Sequence, residues 1–280
     1  MATAFTFADR ISTQRPCTLN PTFVWMEREH AVTRLNSLLK RASQIWTTDG
    51  EITPNFIKKG GWLGQNLPER FVPPTLPLHH AVEERAGKTH KSGDRPLWEG
   101  YQSVKGYPRG GDTRKPDQVR SDASVGRFYS WLASQRGEDV IVEFGTAFGV
   151  SGMYWLSGMK TGRLYTFEPN ADWAASAEEN LRAISDRFTL TVDTFETVGP
   201  TLLAPASVGI AFVDAIHTSE FVFRQYDILK PLMKRGALVL FDDIDFSPDM
   251  TDCWRRIAAD PSLAASATLT DRVGIIELPG

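Results

Sequence analysis

Val142-Glu143-Phe144-Gly145-Thr146-Ala147-Phe148-Gly149-Val150-Ser151 decides how this chain is read. An apolar strand runs into a glycine turn and then into a helix. Gly145 permits a tight turn and a close approach of backbone to a ligand. The helix opening near Gly149 offers free N–H groups, which suit a carboxylate or a phosphate. The next strand-like run ends in Phe167-Glu168-Pro169-Asn170. In a doubly wound sheet Glu168 then lies beside the Gly145-Thr146 turn, where its carboxylate can accept from both hydroxyls of a ribose. The expected ligand is adenosine-like. The alternative is that Gly145 and Gly149 only tighten a βα turn and Glu168 is a solvated strand end.

Working outward, short apolar runs alternate with amphipathic segments. The strand-like runs are 140–144, 164–167, 188–192, 208–213, 237–241 and 273–278. Most are apolar on both faces, as strands covered by helices on both sides should be. Residues 188–192 alternate with threonine and suggest an edge. Trp173, Ala177, Leu181 and Ile184 share one face of a helix capped by Asn170. Val222, Tyr226, Leu229 and Met233 share a face of another, with Gly236 read as its stop. This alternation predicts an α/β fold with a mostly parallel, doubly wound sheet. Between 267–270 and 273–278 stand only Asp271 and Arg272, too few for a crossover, so a hairpin and an antiparallel edge are expected.

The first half is less regular. A helix is expected over about 24–46, and from Gly60-Gly61 to about Arg120 the chain is rich in Gly, Pro and basic residues. The expected division is an accessory region over 1–119, serving as a lid or for oligomerisation, and a ligand-binding domain over 120–280. An extended arm packed on the core is an equal alternative for the first part. Trp62, Trp98 and Tyr101 either line a pocket under a lid or hold that arm down. His79-His80 and His90 lack metal-ligand spacing and read as surface residues.

Composition narrows the function. The chain has 280 residues, 41% hydrophobic and 23% charged, with a formal net charge of −3. Wholesale disorder is excluded, and a nucleic-acid partner is not expected without a basic excess. The two cysteines, Cys17 and Cys253, form no framework, which points to a reducing cytoplasm. The first residues lack the basic and apolar regions of a secretory signal, and no apolar run is long enough to span a membrane. A nicotinamide dinucleotide is disfavoured because Ala147 stands where its fingerprint has glycine. Tyr226-Asp-Ile-Leu-Lys230 matches a Y-x-x-x-K pattern, but too close to the glycine turn to serve a short-chain dehydrogenase. The phosphate-loop pattern is missing.

Glu143-x-Gly145-x-x-x-Gly149-x-Ser151 resembles the first motif of the catechol O-methyltransferase-like branch of the class I S-adenosylmethionine-dependent methyltransferases. The resemblance covers about 120–278. It implies a seven-stranded sheet in the order 3-2-1-4-5-7-6 with strand 7 antiparallel, and S-adenosylmethionine as cofactor. It further implies Glu143 near the methionine amine, Ser151 near its carboxylate, Glu168 on the ribose, and Asp193-Thr194-Phe195 near adenine.

Two more strand ends are acidic, Phe212-Val213-Asp214-Ala215-Ile216-His217 and Leu240-Phe241-Asp242-Asp243. In the inferred order these strands are neighbours, about 4.8 Å apart. Asp214, Asp242 and Asp243 would converge on the cofactor rim, where three carboxylates call for a hard divalent ion such as Mg²⁺. That matches the ligand pattern of metal-dependent O-methyltransferases; the alternative is helix capping or loop hydrogen bonding. His217 follows Asp214 by three residues and is a reasonable general base. By resemblance, a lysine holds this place in the catechol enzymes, while the histidine is similar to that of a macrocin O-methyltransferase-like branch. The expected activity is methyl transfer to a hydroxyl of a small molecule, with a homodimer as the expected assembly. Two other readings stay open, a metal-free N- or C-methyltransferase with His217 as base, and a non-catalytic assembly protein.

Overall fold

The computed structural model describes residues 50–104, 112–136 and 139–280. The helix expected over 24–46 lies outside them. In chain order the elements are β1 (Asn55–Lys58), α1 (Gly61–Asn66), α2 (His79–His90), β2 (Arg95–Pro96), α3 (Gly100–Ser103), β3 (Thr113–Arg114), α4 (Ala123–Gln135), β4 (Val140–Phe144) and α5 (Val150–Gly158). They continue with β5 (Arg163–Phe167), α6 (Ala171–Arg182), β6 (Phe188–Thr191), α7 (Phe195–Leu202), β7 (Val208–Val213), α8 (Ser219–Leu229), β8 (Met233–Phe241), α9 (Pro248–Ala258), β9 (Ala265–Thr268) and β10 (Gly274–Glu277).

The main sheet runs β1-β9-β10-β8-β7-β4-β5-β6. Without β1 this is the expected order 3-2-1-4-5-7-6, and β10 pairs antiparallel with both β8 and β9. Side chains alternate between the two faces. Ile141, Ile210, Phe212, Leu238 and Leu240 enter one core with α4 and α5. Val142, Phe144, Ala211, Val213, Val239 and Phe241 enter the other with α8 and α9. Two covered faces explain why these strands read as unbroken apolar runs.

Three expectations need correction. The hairpin is present, but β9 is not the sheet edge. β1 pairs antiparallel with it, Asn55 opposite Thr268 and Phe56 opposite Ala267. The Glu277 carboxylate secures the following turn by accepting from the Trp62 and Leu63 N–H groups, both at 2.8 Å. Gly236 does not stop a helix. It lies inside β8 with φ +65°, and α8 ends earlier, where Pro231 sits in a short 3-10 turn. His79 is not a surface residue. It is 1% exposed on the inner face of α2, and its Nε2 lies 2.9 Å from Ser130 Oγ. His80 beside it is exposed. Among the described residues, no helix is long and apolar enough to cross a membrane.

Candidate active site

Four strand ends are level. Phe144 pairs with Phe167 on one side and with Val213 on the other, and Val213 pairs with Phe241. The next residue along each strand is therefore Gly145, Glu168, Asp214 or Asp242, and all four stand on one rim. This is the carboxyl-end crevice of an open α/β sheet.

The turn is built as its residue types require. Gly145 has φ +83°, and its N–H and that of Thr146 donate to the Phe167 carbonyl at 3.1 and 3.2 Å. A Cβ on Gly145 would collide with the Asp214 carbonyl oxygen, so only glycine lets the two strand ends meet. Gly149 caps α5 in the left-handed region. Glu168 is 4% exposed and accepts from the Ala147 N–H at 2.8 Å and the Asn170 N–H at 2.9 Å. Burial pushes its carboxyl up to about 7, although those two N–H groups pull the other way. Asn170 caps α6, accepting from the Asp172 and Trp173 N–H groups.

Glu143 is fully buried beneath the turn. Its Oε2 accepts from the Thr166 hydroxyl at 2.7 Å, while Oε1 has no partner. Because the Thr166 hydrogen is committed to Glu143, Thr146 donates to Thr166 at 2.5 Å. Burial raises the Glu143 carboxyl to about 7 against the pull of the Ser151 and Thr166 hydroxyls.

Beside the turn lies a cavity of about 320 Å³. Gly145, Glu168 and Phe195 line it, together with Phe144, Phe167, Trp98 and Tyr101. Phe195 stacks on Phe144 with centroids 4.0 Å apart, giving the cavity an aromatic wall. Glu143, Thr146, Gly149, Ser151 and Asp193 do not line it. The Asp193 carboxylate is instead held locally by the Thr194 N–H at 2.7 Å. Trp62, unlike Trp98 and Tyr101, packs on Trp131 away from the cavity. The sequence reading missed Phe221, Arg224 and Gln225, which α8 brings to the same wall. Gln225 is 2% exposed, donates to Glu196 at 2.9 Å and leaves its own carbonyl oxygen unpaired. Such a buried orphan polar atom on a cavity wall was not readable from a helical glutamine.

Ala215 and Ile216, also in the wall, connect the cavity to the acidic cluster. The structure does bring Asp214, His217, Asp242 and Asp243 together. His217 Nε2 stands 3.7 Å from Asp214 Oδ1 and 3.4 Å from Asp243 Oδ2, and its ring lies against Phe246. A fifth group lies among them. Arg272 donates from Nε to Asp242 Oδ1 at 3.0 Å and from Nη2 to Oδ2 at 2.5 Å. Its Nε also pairs with Asp243 Oδ1 at 2.8 Å. Burial raises the Asp242 carboxyl, but the charge and hydrogen bonds of Arg272 outweigh it and hold the group below the usual range. Asp214 goes the other way, raised by burial and by the neighbouring Asp242 charge.

These residues do not fit a divalent ion as placed. Both Asp242 oxygens and one Asp243 oxygen face a guanidinium, not a shared vacant point. Among the described residues, no group of three or more His, Cys, Asp or Glu side chains is arranged to hold a metal. The expected Asp214, Asp242 and Asp243 triad converges, but around an internal cation.

Residues 142–244 match a family model described as a methyltransferase domain. Over that segment the chain is similar to this methyltransferase family. Its fold is shared with the O-methyltransferase TomG of Streptomyces achromogenes, involved in tomaymycin synthesis and solved with S-adenosylmethionine. That pair is 22% identical, covers 58% of this chain and 82% of the other, and has a TM-score of 0.51. An O-methyltransferase of Bacillus cereus, solved with S-adenosylhomocysteine, is 16% identical over 78% of this chain and 95% of its own, with a TM-score of 0.52. The methyltransferase PaMTH1 of Podospora anserina is 19% identical over 75% of this chain and 99% of its own, with a TM-score of 0.51. No match was found among curated protein sequences.

Proposed function

We propose that this methyltransferase domain uses S-adenosylmethionine to methylate a hydroxyl of a small molecule. The single observation that carries the reading is the level rim. The glycine turn and Glu168 stand at one end, Asp214 and His217 at the other, and a 320 Å³ cavity lies beside the turn. S-adenosylmethionine supplies an electrophilic methyl. The acceptor oxygen forms the new C–O bond, the S–CH₃ bond breaks with its electron pair going to sulfur, and the hydroxyl proton goes to His217 Nε2. Glu168 is suited to the ribose because each carboxylate oxygen, though held by one N–H, keeps a free lone pair. The aromatic wall of Phe144, Phe167 and Phe195 suits a purine. Much of the rate should come from holding acceptor oxygen, methyl and sulfur in line. A hydroxyl, more than an amine, needs a base at neutral pH, which favours oxygen as the acceptor atom.

Calorimetry with S-adenosylhomocysteine, followed by transfer of labelled methyl to a panel of hydroxylated acceptors, tests the reading. Saturable binding and label in an ether product are expected; no binding at about 1 mM, where only about 4 kcal/mol of affinity is required, would end it. Glu168→Gln is expected to weaken S-adenosylhomocysteine binding about tenfold, as loss of one charged hydrogen bond should. His217→Asn should lower kcat about a hundredfold with cofactor affinity unchanged, the signature of a lost general base. An equal rise in both kinetic and binding constants would assign His217 to packing instead.

A further inference from the structure

We propose that the Arg272 guanidinium holds the place a divalent cation would take on this rim, so that the site works without a metal. The inference rests on the proposed reading only in treating this rim as catalytic.

Arg272 is put there by the fold. It lies in the turn between β9 and β10, and its carbonyl accepts from the Ile244 N–H at 3.0 Å. That bond ties the hairpin to the segment carrying Asp242 and Asp243. The Thr270 hydroxyl accepts from the Arg272 and Val273 N–H groups at 3.2 and 3.1 Å, which closes the turn. The side chain then reaches back across the strand ends. Its fork matches Asp242 with two parallel bonds, a geometry that a planar guanidinium supplies and a lysine does not. A divalent ion binding the same oxygens would sit at about 2.0–2.6 Å from them, against the guanidinium, with two positive centres side by side.

The arrangement also gives Arg272 a positioning role. Asp243 pairs with Arg272 through Oδ1 and faces His217 through Oδ2, so one carboxylate joins the fixed cation to the base. Asp243 itself has φ +51°, a left-handed conformation that aspartate tolerates better than most non-glycine residues. The consequence for the substrate is specific. A metal gathers two neighbouring oxygens of a chelating acceptor, whereas an arginine already committed to two carboxylates does not. The acceptor class this site fits is a lone hydroxyl, not a vicinal diol or catechol.

The test is titration with Mn²⁺, read by loss of the free-ion electron paramagnetic resonance signal, on the full chain with and without S-adenosylhomocysteine. Wild type should show no saturable binding tighter than about 1 mM, weaker than oxygen-ligand sites built for regulatory ions. Arg272→Ala, which removes the internal cation, should gain at least about tenfold in Mn²⁺ affinity, and Asp242→Asn in that background should remove the gain. If Arg272→Ala does not fold by circular dichroism, Arg272→Gln keeps a donor to Asp242 and is read the same way. Saturable wild-type binding below about 1 mM that Asp242→Asn abolishes would overturn the proposal. So would a folded Arg272 variant with no gain. Calorimetry of S-adenosylhomocysteine on the same samples keeps the readings apart, since its absence removes the proposed activity and leaves the cation result standing.

Discussion

Gly145→Ala is expected to destabilise the chain by about 3 kcal/mol and to leave no S-adenosylhomocysteine binding that calorimetry can detect. Two costs combine. A side chain at φ +83° is strained by about 1–2 kcal/mol wherever it sits. The added methyl also meets backbone, the carbonyl of Asp214 and the Cα of Ala215, and backbone in a sheet yields less readily than the tip of a flexible side chain. Relief requires β4 and β7 to part at their carboxyl ends. That displaces Ala215 and Ile216 from the cavity wall and Asp214 from His217. Gly149→Ala is the control. Its φ is nearly the same at +79°, but the nearest atom to a new Cβ is 3.2 Å away on Ala177. It should therefore show the conformational cost and little of the collision, and keep measurable binding. Urea unfolding and calorimetry on both variants check this. Equal losses for the two would mean that the closeness of Gly145 to Asp214 is not what the site depends on.

The contrast between these glycines also marks what the sequence could and could not disclose. Strand order, the hairpin and the shared rim followed from apolar runs, their spacing and the resemblance, because a two-sided parallel sheet leaves a strong local signature. β1 left none. Asn55-Phe56-Ile57-Lys58 is short and mostly exposed, and it is a strand only because β9 offers it an edge. His79 failed for a related reason, since its burial depends on Ser130, 51 residues away. Gly236 was misread because a glycine near a helix end usually terminates it, while Pro231 had already done so. Arg272 was in view as half of a turn, read for its backbone and not its charge. The acids were legible singly; what neutralises them was not, because pairing across 30 residues is set by hairpin register. For the same reason the cavity wall contributed by α8 stayed hidden, since Arg224 and Gln225 look like ordinary polar helix residues.

Glu143→Gln should change how stability responds to pH. Glu143 is wholly buried, with one carboxylate oxygen bonded to Thr166 and the other unpaired. Its carboxyl is raised from an ordinary 4.5 to about 7, chiefly by burial. The folded chain therefore holds this proton more tightly than the unfolded one. Its contribution to stability is complete below about pH 4.5 and is lost as pH rises to about 7, a change of about 3 kcal/mol. Glu168, shifted to the same value, adds a second loss over the same window. Glutamine has nothing to ionise. Between pH 4.5 and 8 the variant should lose about 3 kcal/mol less than wild type, read from urea unfolding at a series of pH values. Parallel curves would show that Glu143 stays charged in the folded chain or is partnered in a way its geometry does not display. Retaining such a carboxylate under the glycine turn makes sense if a bound cation compensates it. S-adenosylhomocysteine carries an ammonium, so at pH 8 it should raise the melting temperature of wild type by more than that of Glu143→Gln. An equal rise in both would leave the unpaired oxygen without a role in binding, and the ammonium would then have to be held elsewhere on the rim.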